Sequence, residues 1–162
     1  MNIRKANTED IDIIMDVFEA AKLFMRRTGN SKQWVDGYPS KELILSNIRD
    51  ESLYVCLTED GQIVGAFYFK VENDTTYAKI YDGYWLNDKP YGVVHRIASN
   101  GKQKGIGNAA LQWSLEQCGN VRVDTHRDNI VMQNILLNNG FQQCGIIYVA
   151  NGTERIAFQK SL

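Results

Sequence analysis

Apolar residues Ile11, Ile14, Met15, Phe18 and Met25 recur at helical spacing between Thr8, a residue able to cap a helix, and Gly29, able to end one. A short strand, Asn2 to Ala6, precedes them. Turn residues then surround Trp34 and Tyr38, and a second helix is expected over Lys41 to Asp50. The period changes to β-type in LYVCL, residues 53 to 57, and QIVGAFYFKV, residues 62 to 71. Glu59-Asp60-Gly61 between them predicts a hairpin. Aromatic-rich Tyr77 to Leu86 reads as a further strand, and YGVVHRIAS, residues 91 to 99, as an apolar one. Helical spacing returns over Gly105 to Cys118, stopped by Gly119. A strand over Val121 to Thr125, a helix over Asn129 to Asn139 and two closing strands, Gln143 to Ala150 and Arg155 to Lys160, complete the chain.

The predicted order is therefore β-α-α-β-β-β-β-α-β-α-β-β. Strands cluster early and alternate with helices only late, which favours an α+β fold: a mixed, mainly antiparallel sheet flanked by helices. At 162 residues, 44% apolar and 23% charged, residues 1–162 are expected to form a single domain. A net charge of −1 gives no nucleic-acid footprint and no anionic-membrane surface. No apolar run approaches the ~20 residues of a membrane span, and MNIRKANTED has no signal-like core, so the chain reads as cytoplasmic. Cys56, Cys118 and Cys144 are odd in number and widely spaced, which argues for buried thiols over a disulfide framework or a metal site. Asn73-Asp74-Thr75 and Asn151-Gly152-Thr153 match the glycosylation pattern but carry no weight without a secretory signal.

Chemistry enters with SNGKQKGIGNAA, residues 99 to 110, a glycine-rich loop between an apolar strand and a helix. Gly105 and Gly107 leave backbone accessible, and Lys102 and Lys104 add positive charge beside the first N–H groups of the helix, as in a pyrophosphate cradle. A tight strand-to-helix turn with incidental lysines would look the same. The Walker pattern is absent. The dinucleotide fingerprint fails at Ala110, although Asp124 lies near the distance at which that motif places its acidic residue.

IASNGKQKGIGNAALQW together with DTHRDNIVMQNILLNNGF resembles the GCN5-related N-acetyltransferase (GNAT) superfamily, as does the order of elements over nearly the whole chain. Lys102 stands where that family usually has Gln or Arg, while Gly105 and Gly107 fit. The resemblance implies an acetyl-CoA cosubstrate. Its pyrophosphate would be held by Gln103, Lys104, Gly105, Ile106, Gly107 and Asn108, with Lys102 assisting. Ile97 and the adjoining Ala98 would lie along the acetyl and pantetheine path, between strands that splay apart. Asn129 matches an asparagine near that arm, and equally suits a helix cap. Trp34 and Tyr38 lie where the first two helices would shape an amine site, or else pack on the sheet.

Acetyl transfer to an amine needs a neutral nitrogen, a polarised carbonyl and an outlet for the thiolate. The family's acid is often a tyrosine four residues before Gly-Phe; here that residue is Leu136. Tyr148 on the next strand could supply a hydroxyl if it faced the cleft, and could equally be a packing residue. His95 lies two residues before Ile97, on the same strand face by a period of two, and Tyr91 lies on that face as well. An imidazole suits removal of a proton from an ammonium, yet a lone histidine in an apolar strand is also a common core residue. His126 ranks below His95.

The expected function is acetyl-CoA-dependent N-acetyl transfer to a primary amine of a small molecule or peptide. A non-catalytic acyl-CoA or partner-binding module and a different nucleotide enzyme are the competing readings. Exposed strands in such a sheet leave a homodimer open.

Overall fold

A computed structural model describes all residues, Met1–Leu162. Seven strands form one sheet in the order β1-β2-β3-β4-β5-β7-β6: β1 Asn2–Lys5, β2 Leu53–Leu57, β3 Ile63–Val71, β4 Gly92–Ser99, β5 Asn120–Thr125, β6 Gln142–Tyr148 and β7 Glu154–Ser161. All neighbours are antiparallel except β4 and β5. Four helices cover it: α1 Ile11–Arg27, α2 Lys41–Arg49, α3 Ile106–Cys118 and α4 Ile130–Asn138. The mixed, mainly antiparallel α+β architecture expected from the hydrophobic pattern is the one formed.

The alternation of each strand decides which helix it meets. On one face Ile14, Val17 and Phe18 of α1 and Ile44 and Ile48 of α2 pack on Leu53, Val55, Ala66 and Ala98. On the other, Ile106, Leu111 and Leu115 of α3 and Leu136 of α4 pack on Phe67, Phe69, Val94, Val123 and Phe158. Ser40 caps α2 by accepting the Leu43 N–H at 3.1 Å, and Gly119, at φ 73°, ends α3 where the sequence placed its stop.

The strand expected over Tyr77 to Leu86 is not formed. Thr75–Tyr77 is a single 3-10 turn capped by Asp74, and the rest is a strap whose backbone pairs with a strand at one bridge, Tyr81 to Ile146. Its aromatics serve packing instead of pairing. Tyr77 is buried with Tyr91, Val93, Ile147 and Ala157. The Arg122 guanidinium lies between the Trp85 and Tyr91 rings, 4.2 and 4.0 Å from their centroids, and donates to the Asn87 carbonyl at 2.7 Å.

Two irregularities open the sheet. Parallel pairing of β4 with β5 covers only Gly92–Val121 and Val93–Arg122, after which the strands part. Opposite β3, β4 carries a bulge: the register runs Tyr68–His95 and then Ala66–Ala98, with Arg96 at φ 52°. The extra residue reverses the alternation beyond it. Ile97 packs on the α3 side, whereas His95 packs beside Tyr68 and Tyr77 on the opposite side. The period-of-two expectation that His95 and Ile97 share a face is therefore corrected, because a bulge leaves no mark in the hydrophobic pattern.

Candidate active site

Where β4 and β5 part, a cleft of about 1160 Å³ passes through the sheet. At the α3 end it is bordered by Gln103, Lys104, Gly105, Ile106, Gly107 and Asn108, and at the other by Trp34, Tyr38, Asp74, His95, Asp124 and Arg155; Ile97 and Asn129 lie between. Most residues singled out in the sequence thus converge on one cavity.

The α3 end presents unpaired backbone donors. Gly105 takes φ 85°, a conformation that L side chains adopt at a cost, and no side chain caps the helix. The first intrahelical bond runs from the Ala109 N–H to the Gly105 carbonyl, so the N–H groups of Ile106, Gly107 and Asn108 precede the helical ladder. Gly107 has a different reason from the one its place in the loop suggested. A Cβ there would come within 3.1 Å of Ile135, so its absence lets α3 and α4 approach. Lys102 is exposed outside the cleft, and its backbone N–H is already given to Asn100 Oδ1 at 3.0 Å. Ala98 is also displaced from its expected place: its methyl is buried beneath α1 and does not border the cleft.

Asn129 caps a helix and also borders the cleft. Its Oδ1 caps α4 by accepting the Met132 N–H at 3.0 Å, while its Nδ2 donates to Gln33 Oε1 at 3.0 Å on the cleft wall. Trp34 packs on Phe18, 5.7 Å between ring centroids, and still borders the cavity. The Tyr38 hydroxyl accepts from Arg96 at 3.0 Å.

At the opposite end lies a polar cluster that the sequence only partly announced. His95 Nε2 is 2.9 Å from Asp74 Oδ2, and His95 Nδ1 is 4.0 Å from Asp124 Oδ2. Asp74 Oδ1 accepts from the Thr76 N–H at 2.9 Å and the Thr76 hydroxyl at 2.7 Å. Burial would raise the Asp74 carboxyl, but the hydrogen bonds from His95 and Thr76 outweigh it and hold the group at about 2. Asp74 is therefore an acceptor near neutral pH, which makes Nε2 the protonated nitrogen of a neutral His95 and leaves a lone pair on Nδ1. Tyr77 donates to Asp124 Oδ2 at 2.6 Å; burial first, then the Asp124 charge, push its phenol well above the ordinary value, so it stays a donor.

Two of the expected catalytic residues fall elsewhere. Tyr91 is buried beneath Arg122, and its hydroxyl accepts the Asp74 N–H at 3.0 Å, so it supports Asp74 from outside the cleft. Tyr148 is half-exposed and packs edge-on against Tyr81, 5.3 Å between centroids, away from the cavity. His126 does not border the cavity either; its Nδ1 accepts the Asp128 N–H at 3.0 Å. Leu136, at the family's tyrosine position, is fully buried in the α3-side core.

Asp74, Tyr77, Arg96 and Arg155 were not anticipated as site residues. A signal existed for Asp74, and one for the neighbouring β5 residues. Asp74-Thr75-Thr76 is a sequence suited to an Asx turn, and polar residues alternating with Val121 and Val123 in β5 put Arg122 and Asp124 on the face away from α3.

A sheet split between a parallel pair, with a glycine-opened helix at the split, is the arrangement that the resemblance to the GNAT superfamily implied. The chain is similar to a GNAT-family acetyltransferase from Streptococcus agalactiae 2603, with 34% identity and a TM-score of 0.89 over 99% of this chain and 95% of that one. It also shares its fold with a phosphinothricin acetyltransferase of the GNAT superfamily from Sinorhizobium meliloti, solved in complex with AcCoA, at 15% identity and a TM-score of 0.64 over 99% and 88% of the two chains. A ribosomal-protein-alanine N-acetyltransferase from Brucella melitensis gives 17% identity and a TM-score of 0.62 over the full length of both. No family model and no curated protein matches the sequence. The chain belongs to the GNAT family of acetyltransferases.

Proposed function

We propose that residues 1–162 act as one N-acetyltransferase domain that moves the acetyl group of acetyl-CoA directly to a primary amine of a small molecule or peptide. The observation that carries this reading is the pair of acceptors at the end of the cleft remote from α3. His95 Nδ1 and Asp124 Oδ2, 4.0 Å apart, cannot bond to each other without a proton, yet both can accept from one ammonium between them. Support for the donor comes from the uncapped start of α3 at the other end and from the AcCoA held by a protein of this fold.

In this reading Asp124 attracts the ammonium and His95 takes a proton through Nδ1, freeing the nitrogen lone pair. Asp74 steadies the resulting imidazolium through Nε2. Ile97, just beyond the bulge, would offer its backbone N–H to the acetyl oxygen. The nitrogen bonds to the carbonyl carbon, the C–S bond breaks, and the thiolate of CoA leaves; the second proton that the nitrogen sheds to become an amide passes to that sulfur or to solvent. A thiolate of ordinary pKa ~8.5 departs without a dedicated acid, which agrees with a leucine at position 136.

A thiol-release assay with acetyl-CoA over an amine library tests this. Turnover is expected for at least one amine, reduced about 100-fold in kcat by His95→Gln. The same burial of Leu136 favours a second reading, a non-catalytic acyl-CoA-binding module. CoA binding with no turnover against any amine would establish that alternative.

A further inference from the structure

Arg155 is a charged side chain in the cleft whose position the transfer chemistry leaves unexplained. It is 7% exposed, on β7 at the close of the β6–β7 turn, and borders the cavity. Asp124 is paired with Ala157 in the β5–β7 register, so Arg155, two residues away, projects to the same face. One nitrogen, Nη1, donates to Thr153 Oγ1 and the Glu154 carbonyl, each at 3.0 Å. These neutral acceptors leave the rest of the fork free for another partner. Burial lowers the Arg155 pKa and the Asp124 charge raises it, so the two groups sense each other. They nevertheless form no ion pair within 4.0 Å.

Of the other cations bordering the cavity, Arg27 is exposed at the end of α1, and Arg96 is engaged through its two terminal nitrogens while its Nε has no partner. Arg96 donates to Tyr38 and to Asn47 Oδ1, at 3.0 and 2.6 Å, and lies 5.1 Å from the Tyr68 ring centroid. Lys104 belongs to the α3 end. The acceptor end thus has two poles, a carboxylate–imidazole notch at Asp124 and His95 and a half-used guanidinium at Arg155, separated by more than contact distance. A buried guanidinium is costly to leave without a matching anion, and its planar fork fits a carboxylate.

We propose, on the basis of the acetyltransferase reading above, that the acceptor is an amine bearing a carboxylate a few bonds from its nitrogen, held through the carboxylate by Arg155 and through the amine by Asp124 and His95. An uncharged or purely cationic amine would leave the guanidinium pole empty.

The test compares amino acids with their primary amides and with the corresponding decarboxylated amines in the thiol-release assay. Wild-type protein is expected to prefer the acid over its amide by about 10- to 100-fold in kcat/KM, mainly through KM. Arg155→Gln should bring that ratio close to one, and Arg155→Lys, which keeps the charge and loses the fork, should fall between. Circular dichroism and Tm verify that both variants fold; if Arg155→Gln does not, the lysine variant and the wild-type acid-to-amide ratio still decide. Equal rates for acid and amide, or a preference that survives in the Arg155 variants, would overturn the assignment while leaving acetyl transfer intact. Absence of turnover with every amine would overturn the acetyltransferase reading and this assignment with it.

Discussion

Asp74 joins two properties at one carboxylate: it fixes the tautomer of His95 and it ties the strap to the sheet. Held at about 2 against an ordinary 3.8, it binds fewer protons in the folded chain than in the unfolded one. Its interactions are therefore fully present above pH 3.8 and are lost as pH falls from there through about 2. The shift corresponds to about 2 kcal/mol. Urea unfolding of wild type and Asp74→Asn should show a stability gap of that order that is flat above pH 4 and shrinks toward pH 2. A gap that widened on acidification would contradict the hydrogen bonds described. The substitution should also lower kcat more than it changes KM and alter the shape of the pH–rate profile, since Asp74 acts through His95 and touches no reactant. Tyr91→Phe removes the acceptor for the Asp74 N–H, and a loss of about 1 kcal/mol is expected from its unfolding curve.

Elements, more than single residues, decide whether the cleft keeps its shape. Gly65 of β3 lies under the first turn of α3, where a Cβ would meet Ile106 Cγ2 at 2.6 Å and the Ala98 carbonyl oxygen at 3.1 Å. Gly65→Ala should cost about 1–3 kcal/mol and weaken acetyl-CoA binding, because relief of the clash displaces the helix start. Gly105→Ala tests the other cause. Its Cβ would meet nothing within 4 Å, so only the positive φ opposes it, at about 1 kcal/mol by denaturant unfolding. For the strap, Arg122→Ala removes a cation from between two rings and the donor to Asn87. About 3 kcal/mol should be lost, with faster proteolysis within residues 78–90.

At the scale of the whole molecule, saturation with acetyl-CoA at 100 times its Kd should stabilise the chain by about 2.7 kcal/mol, a rise in Tm of roughly 5–10 °C. Indifference to acetyl-CoA, CoA and longer acyl-CoAs alike would remove the donor assignment. The layers of the molecule and the α3 loop were legible in the amino-acid sequence because each rests on local pattern: a period of 3.6 or 2, a cap, a glycine at a turn. What escaped rests on contacts between distant segments. Arg96 enters β4 as an extra residue that only the pairing with β3 reveals. Tyr77 and Trp85 have strand-like composition, but Asp124 accepts the Tyr77 hydroxyl and the Arg122 guanidinium stacks on Trp85. Asp74 and Arg155 lie 81 positions apart in the sequence and border one cavity only because the strap and β7 both reach it.

The brief pairing of β4 with β5 has a further consequence. Two register pairs and the shared core hold together half-sheets β1–β4 and β5–β7, so the inward edges of both strands beyond Val93 and Arg122 present unspent amides and carbonyls. An extended donor chain lying in that gap would serve as a surrogate strand. Amide hydrogen exchange along Ile97 to Ser99 and Asp124 to Thr125 should slow when the donor is loaded and recover when the product leaves. Closure of the sheet, and its reopening, would then be steps of turnover.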